Sequence, residues 1–565
     1  MRLWRKKSNS FLSPDEIFLD TSDIPGFERE RFEGVIEQPL SRGSFYMVAV
    51  IGFLIGSLLL GRTAWLSVAR GEELAGRAER NYIRKTYADA PRGTIFDKNG
   101  TAIVFNESYL ASSTLVEYRR TVKHPFAFSH LVGYLGQPSE SDVSSGIATY
   151  GMREVGKTGI ERFYNDSLRG IPGERDEELD ATGQTVARGP LKEPVEGKAL
   201  TLTIDAPLQE ALYERLAGTM EERGFKGGAG IVFSVKDGSI LALVSVPSFN
   251  LEAFGRGLTH EEARDVFQNS RTPLFNRAVA GTFAPGSIMK PFIAIAALEE
   301  GVIDEFRNIY SSGQLELPNP FGGPPSIFRD WKAHGYVDMR EAIAVSSDVY
   351  FYTIGGGFGD IKGLGVYRIK SWLQKFGFDT VTGIDLGGED HGFLPDPEWK
   401  EKTHTQNPIW RVGDTYNTSI GQGDVTIAPL SMMRGLMYIA NGGRAATPHI
   451  IKGAEPHFTT IDGISLAHYN VVREGMRKAG EVGGTAQAIS WLPFPVAAKT
   501  GTAEIGKKDR VNSWIINYAP YDDPQIGMVI LLESGARSNL VGSPYVASEV
   551  YRWILDNGGI ERLVH

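Results

Sequence analysis

Hydrophobic and polar positions divide this chain into three textures. The first is one apolar run, Phe45 to Leu66 ("FYMVAVIGFLIGSLLLGRTAWL"), 22 residues with a single charge, Arg62, near its C-terminal end. At about 1.5 Å per residue such a helix reaches ~33 Å, enough to cross a bilayer. A buried core helix or a cleaved signal peptide is the competing reading. Forty-four mostly polar residues precede the run, too many for a signal n-region, and no small-x-small site ends it. The pattern therefore predicts an uncleaved anchor, with Arg62 snorkelling outward and Trp65 at the interface. Flanking charges leave orientation open: Arg29, Arg31 and Arg42 lie on one side, and Arg70, Arg77, Arg80, Arg84 and Lys85 on the other.

The second texture, residues 67–197, alternates in short apolar and polar stretches. "APRGTIFDKNGTAIVF" reads as a β-hairpin turning at Asn99-Gly100, and "IERFYNDSL" as one helical stretch. From 198 to 565 the elements lengthen into helices and strongly apolar strands, among them the hairpin "AGIVFSVKDGSILALVSV" turning at Asp237-Gly238. This third texture predicts a larger domain mixing α and β elements, preceded by a small β-rich module.

Composition narrows the partners. The 565 residues carry a net charge of -9, and no Lys/Arg cluster interleaved with aromatics tracks a phosphate backbone, which argues against nucleic acid. There are no cysteines, so disulfides, thiolate catalysis and Cys-ligated metal are excluded.

Three short patterns carry the candidate chemistry. In "GTFAPGSIMKPFIAIAALEEG" Pro291 is tolerated only in a first turn, so the helix is expected to begin near Ser287, placing Ser287 and Lys290 on one face. A serine needs a neighbouring base, and a lysine becomes one when burial and a second cation lower its pKa. Lone Ser-x-x-Lys arises by chance about once or twice in such a chain. The second cation is expected from Lys499, at the end of the strand-like "FPVAA" and followed by Thr500, Gly501 and Thr502. Two further strand-like runs follow, so this segment reads as a sheet edge presenting an ammonium, two hydroxyls and backbone N–H. The same triplet at Lys157-Thr158-Gly159 precedes "IERFYNDSL" and reads as a structural turn. Between nucleophile and sheet edge lies "AVSSDVYFYTIG", giving Ser346-x-Asp348.

In this order Ser-x-x-Lys, Ser-x-Asp and Lys-Thr-Gly-Thr resemble the class B penicillin-binding proteins, membrane-anchored peptidoglycan D,D-transpeptidases. The resemblance runs from "PRGTIFDKNG" almost to the C-terminus and includes "GKTGIERFYNDSLRG", "TLTIDAPLQ" and "SIGQGDVTIAPLSMMRGLMYIANGG". "SSDVYFY", "TGIDL" and "WRVGDTYNTSIGQG" are similar to the elongation branch, penicillin-binding protein 2, while "PGSIMKP" is closer to division-type wording. Two departures stand out. The head lobe of elongation members is reduced or missing after Glu107, which puts docking to rod-complex scaffolds in doubt. Some relatives bind zinc with a Cys inside the Ser-x-Asp motif; Ser347 stands there, so Asp330 and His334 read as structural.

The resemblance implies an α/β (α+β) penicillin-binding transpeptidase domain at 198–565, an antiparallel sheet flanked by helices. A pedestal or dimerisation-type module at 67–197, an anchor at 45–66 and a cytoplasmic tail at 1–44 complete it, in a single-pass cell-membrane protein with its catalytic domain outside. It implies that Ser287 attacks the D-Ala-D-Ala stem peptide, that Lys290 is the base and that Ser346 relays the proton. Lys499 lowers the pKa of Lys290 and, with Thr500 and Thr502, holds the terminal carboxylate. Gly501 gives the substrate backbone close approach, Asp348 accepts from Lys290, and the N–H groups of Ser287 and Thr502 form the oxyanion hole. No cofactor or metal is implied; stem peptides, β-lactams, the membrane and a polytopic peptidoglycan glycosyltransferase of the shape, elongation, division and sporulation family are the implied partners. A septal role, a β-lactamase or β-lactam sensor, and a silent scaffold activating a glycosyltransferase remain as alternatives.

Overall fold

The computed structural model describes residues 41–564 apart from 113–114, 149–151, 181, 320–321 and 507–508; most of the tail expected at 1–44 lies outside the described residues. These fall into two compact units, one built from residues up to Arg84 with Leu179–Gln184, the other from the remainder. The first holds helix α1 (Arg42–Val68), 27 residues with none buried and a mean hydropathy of 2.1 over its most apolar window. It contains the whole of the run expected to cross a membrane.

In the second unit the expected hairpin forms from β1 (Ile95–Phe96) and β2 (Ala102–Ser112). Its turn is fixed by chemistry as much as by glycine: Asp97 Oδ1 accepts from the backbone N–H of Asn99 (3.0 Å) and Thr101 (2.7 Å), and Gly100 sits at φ +81°. β2 pairs antiparallel with β3 (Leu115–Val122), with Glu107 opposite Arg119 and a register shift between Leu110 and Ser112. β4 (Leu200–Thr201) adds to β1 in parallel and leads the chain onward. The "IERFYNDSL" stretch is two short helices, Gly159–Phe163 and Asn165–Leu168, rather than one. The break falls at Tyr164, at φ -101° and ψ 22°, and Asn165 Oδ1 beside it accepts from Gly156 N and Arg92 Nη2, both at 3.2 Å.

Helix α2 (Ala206–Arg223) has Asp205 as its N-cap, accepting from Leu208 N at 3.0 Å, and Gly224 at φ +65° as its stop. It leads to β5 (Gly227–Ser234) and β6 (Ile240–Val246), the second expected hairpin. Three helices that place the site follow: α3 (Lys290–Glu299), α4 (Met339–Ala344) and α5 (Asp348–Gly356). Helix α6 (Leu466–Gly480) precedes strands β7 (Ala497–Ile505), β8 (Arg510–Ala519) and β9 (Ile526–Ala536), and α7 (Ser543–Asp556) and a short helix, Glu561–Val564, follow. The five long strands form one antiparallel sheet of order β6-β5-β9-β8-β7.

Both faces of this sheet are covered, and strand alternation sorts the side chains. Val232, Ile515 and Ile530 pack with Leu212, Leu216, Val546 and Val550 of α2 and α7. Ile231, Ile516 and Leu531 point the other way, onto Phe292 and Ile293 of α3 and Met433 and Leu436. Full burial of such a side chain stabilises by about 1.5–3 kcal/mol, so these two layers fix the sheet and, with it, its edge strand β7.

Candidate active site

The expected helix beginning at Ser287 is corrected by the structure. Gly286–Met289 forms a 3-10 turn and the α-helix proper starts at Lys290. The reason lies in Pro291: it has no N–H to give the Ser287 carbonyl, which instead takes the N–H of Lys290, one residue closer. Ser287 is thus half-buried on a tight turn, while Lys290 is fully buried at the helix start.

Ser346 reaches the same place from α4. Ser346 N donates to Ile343 O and Ser347 N to Ala342 O, the bond pair that ends a helix through a left-handed residue. Ser346 is that residue, at φ +59°, a conformation glycine ordinarily supplies. Ser347 then caps α5 by accepting from Tyr350 N, so two helix ends meet at the Ser-x-Asp motif. Behind it, the Asp330 carboxylate accepts from Ser347 Oγ (2.9 Å), Val349 N (3.0 Å) and Ser311 Oγ (3.2 Å), with His334 Nε2 at 3.3 Å. Asp330 and His334 thereby support the motif's backbone. Trp331, whose indole N–H donates to Val345 O at 3.2 Å, pins the same loop.

Lys290 Nζ donates to Asp348 Oδ1 (2.7 Å), Ser346 O (2.8 Å) and Ser346 Oγ (3.2 Å). Lys499 Nζ, also fully buried, donates to Ser346 Oγ and Thr500 O, each at 2.9 Å. Two amines therefore converge on one hydroxyl. The Lys499 amine is itself pushed well below the ordinary lysine value. Burial is the main cause and the like charge of Lys290 adds to it, against the opposing pull of Asp348. Asp348 is raised by burial, with Lys290 opposing.

Strand β7 presses against the Ser287 turn. A Cβ on Gly501 would lie 2.7 Å from Pro285 O, and one on Gly286, at φ +58°, 2.7 Å from Thr502 O. Only glycines allow this approach. Thr500 and Thr502, two apart on the strand, line one cleft of about 720 Å³ with Ser287, Ser346 and Asp348. All eight residues singled out by sequence thus come to one place. Sequence reasoning assigned no role to Gln422, which donates to Thr502 O at 3.2 Å, or to Trp331, Glu504 and Arg537, which line the same cleft. Only Gln422 sat within a stretch the resemblance had marked.

The family model described as the penicillin-binding protein transpeptidase domain matches residues 228–555, more than half of the chain, and a penicillin-binding protein dimerisation domain matches 112–202. The chain belongs to the penicillin-binding protein transpeptidases. It is 32% identical to the peptidoglycan D,D-transpeptidase MrdA of Haemophilus influenzae, over 75% of this chain and 67% of that protein. It superposes on the crystal structure of Pseudomonas aeruginosa PBP2 in complex with WCK 5153 with a TM-score of 0.69 and 29% identity, covering 85% of this chain and 98% of that one. A chain from a peptidoglycan synthase complex coordinating polymerization and crosslinking aligns over 93% of this chain and 98% of its own, with a TM-score of 0.68 and 26% identity. These likenesses place this penicillin-binding protein on the elongation side of the family, as "SSDVYFY" and "TGIDL" suggested, rather than the division side. The near-division wording around Ser287 carried less weight than the rest of the chain.

Proposed function

We propose that this penicillin-binding protein crosslinks peptidoglycan stem peptides during cell-wall elongation by a serine acyl-enzyme mechanism. The observation that carries the reading is the convergence of Lys290 and Lys499 on Ser346 Oγ, in the cleft that Ser287 lines.

Ser287 Oγ attacks the carbonyl of the penultimate D-Ala and loses its proton to Lys290. The C–N bond to the terminal D-Ala breaks, its nitrogen gains a proton and the residue leaves. The amine of a second stem peptide then displaces Ser287, restoring its hydroxyl and forming the crosslink. Lys290 must be neutral to begin. Ser346, touching both amines, offers a path for the Lys290 proton toward Lys499 once the substrate carboxylate beside Lys499 favours its charged form. Thr500, Thr502 and Lys499 hold the substrate carboxylate, and the N–H groups of Ser287 and Thr502 stabilise the oxyanion. Gly501 keeps β7 close enough for the oxyanion hole, and Asp348 orients Lys290.

Residues 1–44 form the cytoplasmic tail, 45–66 the anchor, 67–197 the pedestal and 198–565 the transpeptidase domain, facing stem peptides outside the cell membrane. The length and apolarity of α1 and the matched spans 112–202 and 228–555 support this division. The partner is a polytopic peptidoglycan glycosyltransferase, supported by the likeness to a synthase-complex chain.

A fluorescent penicillin tests the reading: the full chain is expected to label and stay labelled for many minutes, and Ser287→Ala not to label. Lys290→Arg keeps the charge but supplies no base, so labelling falls at least about a hundredfold. Labelled Ser287→Ala sinks the assignment, and label lost within seconds indicates a β-lactamase.

A further inference from the structure

The last carbonyls of a helix find no partner within it, yet around the end of α4 the carbonyls of residues 341 to 346 each accept a hydrogen bond. Glu341 O accepts from Val345 N (2.9 Å), Ala342 O from Ser347 N (3.0 Å) and Ile343 O from Ser346 N (3.3 Å), while Ser346 O accepts from Lys290 Nζ. The two carbonyls between these sets are taken by residues from elsewhere in the chain. Ala344 O accepts from the backbone N–H of Thr485 (3.2 Å) and from its hydroxyl (3.3 Å), and Val345 O accepts from the indole N–H of Trp331 (3.2 Å). Thr485 follows α6, which packs directly on α4: a Cβ on Gly475 would lie 2.9 Å from Ile343 Cβ and 3.0 Å from Arg340 O. Both Trp331 and Thr485 line the cleft, and Trp331 is 57% exposed.

These donors sit where they control one torsion. The φ angle of Ser346 depends on the peptide plane that carries Val345 O and Ser346 N, and that plane is held at both ends, by Trp331 at the oxygen and by Ile343 O at the N–H. Thr485 holds the plane before it, and Lys290 the plane after. A left-handed residue other than glycine is strained and persists only where its surroundings over-determine it. Released, Ser346 turns toward the ordinary right-handed region, and its hydroxyl leaves the point where Lys290 Nζ (3.2 Å) and Lys499 Nζ (2.9 Å) meet.

We propose that Trp331 and Thr485 are positioning residues for the acyl transfer, holding the Ser346 hydroxyl between the two amines from outside the Ser-x-Asp motif. The proposal rests on the reading of Ser346 as the proton relay. Each residue acts on the rate through Ser346, so its effect disappears where that hydroxyl is absent.

Acylation of the full chain by benzylpenicillin, measured as a limiting rate and a half-saturating concentration, tests this. Trp331→Phe keeps a ring in the cleft and removes the indole donor. Thr485→Val keeps the shape and the backbone N–H and removes the hydroxyl donor, which Thr485→Ser restores. A misplacement of about 1 Å at a reacting group costs on the order of a hundredfold, and a loosened turn shows part of that. The limiting rate is expected to fall about tenfold in Trp331→Phe and about threefold in Thr485→Val, with the half-saturating concentration within about twofold of native and the rate recovered in Thr485→Ser. Introduced into Ser346→Ala, the same substitutions are expected to change its residual rate by less than about twofold, whereas a general loss of folding or of cleft contacts persists there. Native rates in both Trp331→Phe and Thr485→Val, or losses in the Ser346→Ala background as large as in the native one, overturn the proposal. Acylation of Ser346→Ala at the native rate overturns the relay reading, and the proposal with it.

Discussion

Lys499 Nζ lies 2.9 Å from the hydroxyl of Ser346, a contact between residues 153 apart that joins the sheet edge to the helix junction. Lys290 donates to the same oxygen, so the Ser346 hydroxyl links two amines that make no bond to each other. Lys499→Ala is therefore expected to slow β-lactam acylation by about a hundredfold, through loss of a carboxylate partner and of the proton path. The other Lys-Thr-Gly behaves differently. Lys157 Nζ pairs with Asp142 Oδ2 at 2.5 Å and its side chain is only 22% exposed, so it is more enclosed than a surface turn implies. Lys157→Ala is expected to leave acylation within about twofold while lowering the melting temperature. Equal losses of acylation in the two variants contradict the separation of their roles.

Gly501→Ala tests the approach of β7 to the nucleophile turn. Its Cβ meets backbone, Pro285 O at 2.7 Å and Ile288 N at 3.2 Å, so the strand or the turn must shift. A displacement near 1 Å at reacting groups costs on the order of a hundredfold. Acylation is expected to fall at least tenfold in a protein that still melts cooperatively. Near-normal acylation means the oxyanion N–H groups lie elsewhere.

Asp330→Asn tests the support behind Ser346. One carboxylate oxygen accepts from Ser347, Val349 and Ser311 and the other from Trp331 N (2.8 Å), so an amide substituted there turns its NH2 toward a donor in a buried place whichever way it faces. A loss of about 2–3 kcal/mol is expected, measured by denaturant unfolding, with slower acylation as Ser346 relaxes. Unchanged stability refutes this account of the wall.

Glu161 gives a pH test in the β-rich module. It is 1% exposed and pairs with Arg92 (2.7 Å) and Arg120 (2.8 Å). Burial alone raises its carboxyl, but Arg120 and Arg92 outweigh burial and hold it below the ordinary glutamate value. The unfolded chain then binds more protons between the two values, so stability rises with pH across that interval. The contribution is complete above about 4.3 and is lost as pH falls below it. Glu161→Gln is expected to cost about 3–5 kcal/mol at pH 7, with the gap from wild type narrowing below pH 4. A gap independent of pH between 7 and 3.5 contradicts the ion-pair account.

Local chemistry made much of this protein legible from sequence. The anchor helix follows from an apolar run of bilayer length. The hairpins at Asn99-Gly100 and Asp237-Gly238 follow from turn residues between alternating strands, and both form as read. The candidate site was legible because its groups sit in short patterns whose order identifies the family. Tertiary structure decided what depends on residues far apart in the chain. Pro291 forces a 3-10 turn at Ser287, and its effect on register shows only once Gly286 and Gly501 bring turn and strand together. That Lys499 is pushed well down depends on its burial, on the nearby charge of Lys290 and on Asp348, none of which spacing encodes. The Glu504–Arg537 pair was invisible for the same reason: its members belong to separate segments, and only the packed sheet edge sets them beside one cleft.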